Sequence, residues 1–352
     1  MEQQRSSPFE FGIYSLGERI PNQDKETKSA EERISEIITM AKLADEAGLD
    51  VFGIGEHHRS DFVTSSYAMI LAAIARETKQ IKLTSTLSVI STADPVRVYE
   101  DFATLDLLSK GRTEIIVGRG AFLESFSLFG ADLNNYNELF EEKLKLFLAL
   151  QEEENISWSG RFRSSLENAS ISPRPYQQKL PLWIGVGGTP ESAVRAGKLG
   201  VNMALGLLGG HPESVKYLSD LYWKAAREAG HDLDKLRISV TGHAYIADTG
   251  EKAIDEFYPH YMNYFGHFMK ERGQRFFVTK ESLYSQRAAN QILAVGSAEE
   301  LTEKILYQHE VFGHSRFMGQ FDMGGQSLSR VEKAIDLLAN KVAPIVRQAL
   351  AK

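Results

Sequence analysis

Not one of the 352 residues is cysteine. Disulfide frameworks, zinc ribbons, iron–sulfur sites and thiol nucleophiles are therefore excluded. An excess of positive charge is missing too: 40 Lys+Arg stand against 47 Asp+Glu, a net charge of −7 with no basic stripe. Such a surface has no polyanion signature, so no nucleic-acid partner is expected. No apolar run nears the roughly 20 residues of a membrane helix. The first residues, Met1 to Ser7, lack a hydrophobic signal core. No membrane association and a cytoplasmic location are the expectation. Internal repeats, low-complexity tracts and Pro/Ser-rich linkers are absent as well, which argues against a chain parted into several domains. What remains is an ordinary globular composition, 43% hydrophobic and 10% aromatic with 28 glycines. Disordered and collagen-like classes are excluded by it.

A strand-like apolar run followed by an amphipathic helical pattern recurs along the chain. Strands are predicted over 9–15, 51–55, 81–89, 113–118, 182–186, 201–204, 236–246 and 315–321. Helices are predicted over 30–47, 66–78, from Pro95 onward, and over 135–151, 189–199, 212–229, 297–311 and the C-terminal stretch. Gly48 is placed to stop the first helix, and Asp94-Pro95 to open the third as cap and first turn. Two stretches break the rhythm. Residues 152–179 read as a small hairpin insertion about Gly160, and 256–294 as an aromatic-rich, partly helical insertion.

Short apolar strands, each followed by a helix and lacking polar alternation, predict an α/β fold. The form expected is a single (β/α)8 TIM-barrel domain over 1–352, with insertions after strands four and seven. An open doubly wound sheet would need a Gly-x-Gly-x-x-Gly turn after an early strand. The nearest match, Gly185-Val186-Gly187-Gly188-Thr189-Pro190, follows the fifth strand and has proline at the third glycine. The barrel is the better reading.

Barrel active sites lie at the C-terminal strand ends. After strand two stands Glu56-His57-His58. Residues alternate sides on an extended chain, so if Gly53 and Gly55 face the crowded axis, His57 shares their side. Glu56 and His58 then face outward, toward the helices. Adjacent histidines diverge on a strand, and no metal site is expected. His57 could instead serve only to bond backbone groups at the strand end.

Ser85-Thr86-Leu87-Ser88 closes strand three with hydroxyls and backbone donors. Gly118-Arg119-Gly120 closes strand four, placing a forked fixed charge between two adaptable glycines. A surface salt bridge is the bland alternative for Arg119. Gly187-Gly188-Thr189-Pro190-Glu191-Ser192 leads from strand five into a helix start, a natural anion site by virtue of free amides and dipole. Strands four and five are neighbours, so both features can reach one phosphate. Hydrolase chemistry fares worse. Gly-x-Ser-x-Gly is absent, and a glycosidase pair would require Glu56, which faces the wrong way, together with Glu124.

At these residues the sequence resembles the bacterial luciferase-like flavin-dependent monooxygenases, over nearly the whole chain. The resemblance runs through Gly48-Leu49-Asp50, Glu56-His57-His58 and Thr92-Ala93-Asp94-Pro95-Val96-Arg97. It continues through Leu108 to Arg112, Gly118-Arg119-Gly120, Phe129 to Asp132 and Val295 to Glu300.

The resemblance implies a barrel binding reduced FMN at its mouth, usually as a homodimer, with a separate flavin reductase as the source of reduced FMN. The flavin would react with dioxygen, and the resulting flavin peroxide would oxygenate a small organic substrate. It further implies a cis peptide at a bulge ending strand three, here Thr86-Leu87. Phosphate would be held by Arg119 and by Gly187, Gly188, Thr189 and Ser192, with Gly118 beside the flavin. His57 corresponds to the family's active-site histidine, positioning or deprotonating groups near the flavin. Residues 256–294 would form a mobile lid.

Departures are specific. Gly118 stands where luciferases carry a reactive cysteine, and Ser125 where they carry an acidic residue, so light emission on long-chain aldehyde is not expected. Two alternatives remain, a deazaflavin-dependent hydride-transfer enzyme and a non-catalytic flavin-binding protein. Tyr14, His243 and Phe321 are unranked contributors to substrate binding.

Overall fold

The computed structural model describes residues 8–22, 25–120 and 122–351. Its strands are β1 (Glu10–Ser15), β2 (Val51–Ile54), β3 (Lys82–Ser85), β4 (Ser88–Val89), β5 (Ile115–Gly118), β6 (Asn155–Trp158), β7 (Leu166–Ser170), β8 (Leu182–Val186), β9 (Asn202–Leu207), β10 (Ile238–Ile246), β11 (Ala294–Gly296) and β12 (Arg316–Gln320). The principal helices are α1 (Ala30–Glu46), α2 (Tyr67–Glu77), α3 (Pro95–Ser109), α4 (Glu124–Leu128), α5 (Tyr136–Glu152), α6 (Pro190–Leu199), α7 (Lys216–Glu228), α8 (Gly250–Glu271), α9 (Lys280–Ser285), α10 (Ala298–Phe312), α11 (Leu328–Leu337) and α12 (Ala343–Leu350).

The large sheet is parallel, in the order β3-β2-β1-β12-β10-β9-β8-β5-β4. It closes on itself where Leu83 bridges Thr113. There the amide of Leu83 donates to Arg112 O at 2.8 Å, and Glu114 N donates to Leu83 O at 2.9 Å. The result is the expected α/β barrel. Its eight staves are β1, β2, β3 with β4, β5, β8, β9, β10 and β12.

Two details differ from the sequence expectation. The third stave is broken after Ser85 rather than continuous over 81–89. A ninth parallel strand, β11, extends the sheet by pairing with the end of β10 from Ala244 to Ile246. The 152–179 stretch does hold an antiparallel hairpin, β6 with β7. The 256–294 stretch contains most of α8, all of α9 and the start of β11.

Local chemistry accounts for the helix starts. Ser29 with Glu32, and Ser297 with Glu300, form reciprocal capping boxes on α1 and α10. Asp94 caps α3 through Val96 N, with Pro95 in the first turn. Buried aliphatic and aromatic side chains from both layers fill the space between strands and helices.

The lower end of the barrel is sealed by charge. Arg316, wholly buried on β12, donates to Glu10 at 2.7 Å and to both oxygens of Glu114 at 2.6 and 3.1 Å. Its guanidinium lies 4.2 Å above the Trp183 ring. With this end plugged, the barrel interior is reached from the opposite, C-terminal end. Among the described residues no helix is long and apolar enough to cross a membrane.

Candidate active site

The C-terminal end of β2 shows which way His57 points. A Cβ on Gly53 would lie 2.4 Å from Thr86 Cγ2 and 3.2 Å from Met318, inside the barrel. One on Gly55 would lie 2.6 Å from Leu16. Glycine is required here by the close approach of neighbouring staves, and the alternation brings His57 to the same side. Its ring stacks on Phe62 at 4.1 Å and meets the edge of Phe122 at 5.0 Å. Burial, helped by the charge of Arg59, lowers its pKa to about 4. His57 is therefore neutral at physiological pH, and its buried Nδ1 has no hydrogen-bond partner in the structure.

Glu56 and His58, expected to face the helices, instead pair with each other and with a neighbouring strand end. Glu56 Oε2 accepts from Val89 N at 2.7 Å, and its Oε1 lies 2.8 Å from His58 Nε2. The pair thus braces the segment after the break in the third stave.

That break holds a cis peptide at Thr86-Leu87. Thr86 N donates to Ile54 O at 2.7 Å, while the buried Thr86 Oγ1 has no partner. Ser85 Oγ bridges to β5, donating to Ile116 O at 2.8 Å and accepting from Ile116 N at 3.2 Å. The Leu87 side chain reaches into the barrel, where Cβ atoms on Gly118 and Gly185 would each come within 2.6 Å of it.

Arg119 and the β8–α6 turn come together as the strand order predicts. Arg119 Nη2 donates to the buried Ser192 Oγ at 3.0 Å, and Nη1 donates to Asn137 Oδ1 at 2.7 Å. Its guanidinium sits 5.2 Å over the Tyr136 ring, whose hydroxyl donates to Gly120 O at 3.1 Å. Among the described residues no carboxylate forms an ion pair with Arg119. Gly188 has φ of +125°, and nothing lies within 4 Å of a Cβ on Gly187 or Gly188. Thr189 precedes α6 without a side-chain bond, so its hydroxyl does not occupy the first-turn amides. A fixed cation, a helix start and open glycine backbone thus converge on one corner.

Opposite this corner Tyr14 and His243, both named from the sequence, join a polar cluster with Gln320, Glu18 and Asp322, which were not. His243 Nδ1 lies 3.0 Å from Gln320 Oε1, and Gln320 Nε2 donates to Glu18 Oε2 at 3.3 Å. Burial lowers the His243 pKa to about 4. Tyr14 is buried beside Glu18 and Asp322, which with burial raise its pKa beyond the usual tyrosine range. Phe321, by contrast, lies in the main core between strands and helices.

Helix α8 lies across this end. Phe268 stacks on Phe62 at 5.5 Å, and Arg59 sits 5.4 and 5.5 Å over Phe122 and Phe268. His267 Nε2 lies 3.0 Å from Asp61 Oδ2. The far end of the segment is fastened by Lys304, whose Nζ donates to the carbonyls of Gln286, Ala288 and Gln291 at 2.8, 2.9 and 2.9 Å.

Asn137, Tyr136, Phe62 and Phe122 were not foreseen from sequence. They lie on segments whose docking depends on tertiary structure, and no local motif marks them.

Comparisons with known proteins agree with this architecture. The chain is 24% identical to the oxygenase component of the flavin-dependent trigonelline monooxygenase of Acinetobacter baylyi, over 95% of this chain and 94% of that one. The fold superposes on monooxygenase RslO1 from Streptomyces bottropensis with a TM-score of 0.79, at 24% identity, covering 96% of this chain and 99% of that one. It also matches the oxygenating constituent of 3,6-diketocamphane monooxygenase from Pseudomonas putida, solved with FMN, with a TM-score of 0.77 at 20% identity, covering 96% and 98% of the two chains. The model of the luciferase-like monooxygenases matches residues 9–315, and the chain belongs to that family.

Proposed function

We propose that the barrel mouth binds reduced FMN and that the protein uses it, with dioxygen, to oxygenate a small organic substrate. The carrying observation is Arg119, which is held toward the start of α6 by neutral partners only. A guanidinium with a hydroxyl and an amide for company keeps its charge available for a phosphate. Gly187, Gly188 and Thr189 would add backbone amides there. Thr86, Leu87 and Gly118 would line the ring portion of the cofactor, and Thr86 Oγ1 and His57 Nδ1 are buried polar atoms near it that no protein group satisfies.

When bound, reduced flavin supplies the activation of dioxygen. The chain's own contribution is to orient and to exclude water. His57 stays neutral, so its imidazole can accept one proton or hold one hydrogen bond at Nδ1 without bringing a charge into the site. Phe62, Phe122 and Phe268 keep that nitrogen in an apolar setting. In this reading α8 and the residues before Gln286 move as a lid, while the Lys304 anchor stays in place. A cytoplasmic homodimer supplied by a separate reductase completes the proposal.

Anaerobic titration with reduced FMN, followed by admission of air, tests it. Saturable binding and subsequent oxygen consumption are expected. Binding of a reduced deazaflavin in place of reduced FMN, without oxygen use, would place the protein among hydride-transfer enzymes. Flavin binding without any turnover would make it a carrier.

A further inference from the structure

One wall of the barrel mouth carries polar side chains that the cofactor reading leaves unused. Strand register fixes their direction. A Cβ on Gly53 would come 3.2 Å from the Met318 side chain, so both positions face the barrel interior. Tyr14 pairs with Gly53 across β1 and β2, and Thr241 with Met318 across β10 and β12. Two residues nearer the mouth, Gln320 and its register partner His243 therefore face inward as well. The three staves β1, β12 and β10 are adjacent. In the closed ring they stand across from β3, β5 and β8, which lead to Thr86-Leu87, Arg119 and the α6 turn.

Hydrogen bonding decides which nitrogen of His243 is bare. Gln320 turns its Nε2 toward Glu18, 3.4 and 3.3 Å from the two carboxyl oxygens. Glu18 is itself held as an acceptor by the amide of Gly324 at 3.1 Å. The amide oxygen of Gln320 is left for His243 Nδ1 at 3.0 Å, and that oxygen can only accept. The proton thus sits on Nδ1, and Nε2, at the tip of the ring, carries a lone pair. Burial keeps the imidazole neutral. Neither Nε2 nor the Tyr14 hydroxyl has a hydrogen-bond partner among the described residues, and unlike Thr86 Oγ1 neither atom is sealed from solvent.

The surroundings are apolar or already paired. Tyr264 and Phe265 of α8 meet the His243 ring at 5.8 and 5.7 Å. Arg33, the cation bonded into this cluster, is taken up by Asp322 and the carbonyl of Glu18. A substrate carboxylate would therefore gain no ion pair from it. We propose that His243 Nε2 is a specificity-determining acceptor of the mouth, selecting neutral substrates that have an apolar body and an O–H or N–H donor, with Gln320 and Glu18 as its positioning residues. The Tyr14 hydroxyl, which burial and its acidic neighbours keep protonated, can donate to the same substrate group. The inference rests on the reduced-flavin reading, which puts the cofactor against the opposite wall.

The test is anaerobic calorimetric titration of the full chain, saturated with reduced FMN, with phenol and with toluene, which share a shape. Phenol should bind about tenfold more tightly, roughly 1.4 kcal/mol. His243→Phe keeps a ring against Tyr264 and Phe265 but lacks the lone pair, and should bring the two affinities together. Gln320→Met leaves the imidazole but frees its tautomer, and should narrow the preference by a smaller factor. A merely structural loss would weaken both ligands alike and leave their ratio untouched. Equal affinities in the parent, no saturable binding of phenol, or an unchanged ratio in His243→Phe would each overturn the proposal. Should His243→Phe not fold, an unchanged ratio in Gln320→Met overturns it. Failure of reduced FMN to bind would count against the cofactor reading alone, and the same comparison is then made on the flavin-free chain.

Discussion

Arg119, at the end of β5, donates from Nη2 to the buried hydroxyl of Ser192 in the first turn of α6 at 3.0 Å. The two residues are 73 positions apart, and only barrel closure brings them together. This bond aims the guanidinium at an uncapped helix start rather than into solvent. Arg119→Ala should weaken reduced FMN by on the order of 100-fold, a loss in the range of a charge-assisted contact. Riboflavin, which has no phosphate, should bind the variant as it binds the parent. Anaerobic titrations with both compounds check this. Equal losses for the two would place the phosphate elsewhere.

The buried imidazoles set an acid limit. Burial depresses His57 and His243 to about 4 and His314 to about 3, against about 6.5 in an unfolded chain. Between those values the unfolded state binds protons that the native state refuses. Stability should therefore be complete above pH 6.5 and fall as pH drops toward 4. Each histidine can contribute a slope of up to about 1.4 kcal/mol per pH unit. Urea midpoints measured from pH 7.5 to 5 should show the loss, and His243→Gln should flatten it. For His57 the same shift means that activity should show no titration of this residue near pH 6.5. A kinetic step at that pH that vanished in His57→Gln would contradict its neutral assignment.

Much of this site was legible because its parts are local. Small residues at Gly53 and Gly55 betray the crowded inner face, and strict alternation then orients His57. Gly118-Arg119-Gly120 and Thr189-Pro190 are strand-end and helix-start signals whose partnership follows from strand order alone. The break in the third stave is different. Residues 81–89, Ile-Lys-Leu-Thr-Ser-Thr-Leu-Ser-Val, read as one continuous strand rich in β-branched residues, and a bulge at Thr86-Leu87 leaves no mark in that pattern; only family resemblance located it. Strand β11 was too short to register beside the helix that follows it. The Glu18, Arg33 and Asp322 cluster joins groups up to 307 residues apart by way of side chains, Ser15 to Asp322 being the longest link. No spacing rule reaches that far.

Leu87 occupies the space that Gly118 and Gly185 leave open. A methyl group at either position would lie 2.6 Å from Leu87 Cδ2, and at Gly118 also 2.9 Å from Cδ1. Gly118→Ala and Gly185→Ala should each cost about 1–3 kcal/mol through overpacking. Leu87→Ala should relieve much of that cost, so a double-mutant cycle by denaturant melting should show strong coupling. The same contact bears on a cysteine at position 118, which this barrel can take only if Leu87 gives way. Additive losses would mean that the cost at each glycine does not arise from Leu87.

At the closed end, Arg316 neutralises Glu10 and Glu114 over the face of Trp183. Burial alone would raise the pKa of Glu10, but Arg316 and Lys82 outweigh it and hold the carboxyl at about 2. Its stabilising contribution is complete above about 4.5 and should disappear as pH falls through 2. Arg316→Met leaves two buried carboxylates sharing only the partly exposed Lys82 and should cost about 3 kcal/mol at neutral pH. Replacing Glu10 and Glu114 by Gln in the same chain removes the under-compensated charges and should recover most of the loss. Chemical denaturation of the single and triple variants measures the difference. If the triple variant stays as unstable as Arg316→Met, the stability resides in the stacking of Arg316 on Trp183 rather than in charge pairing.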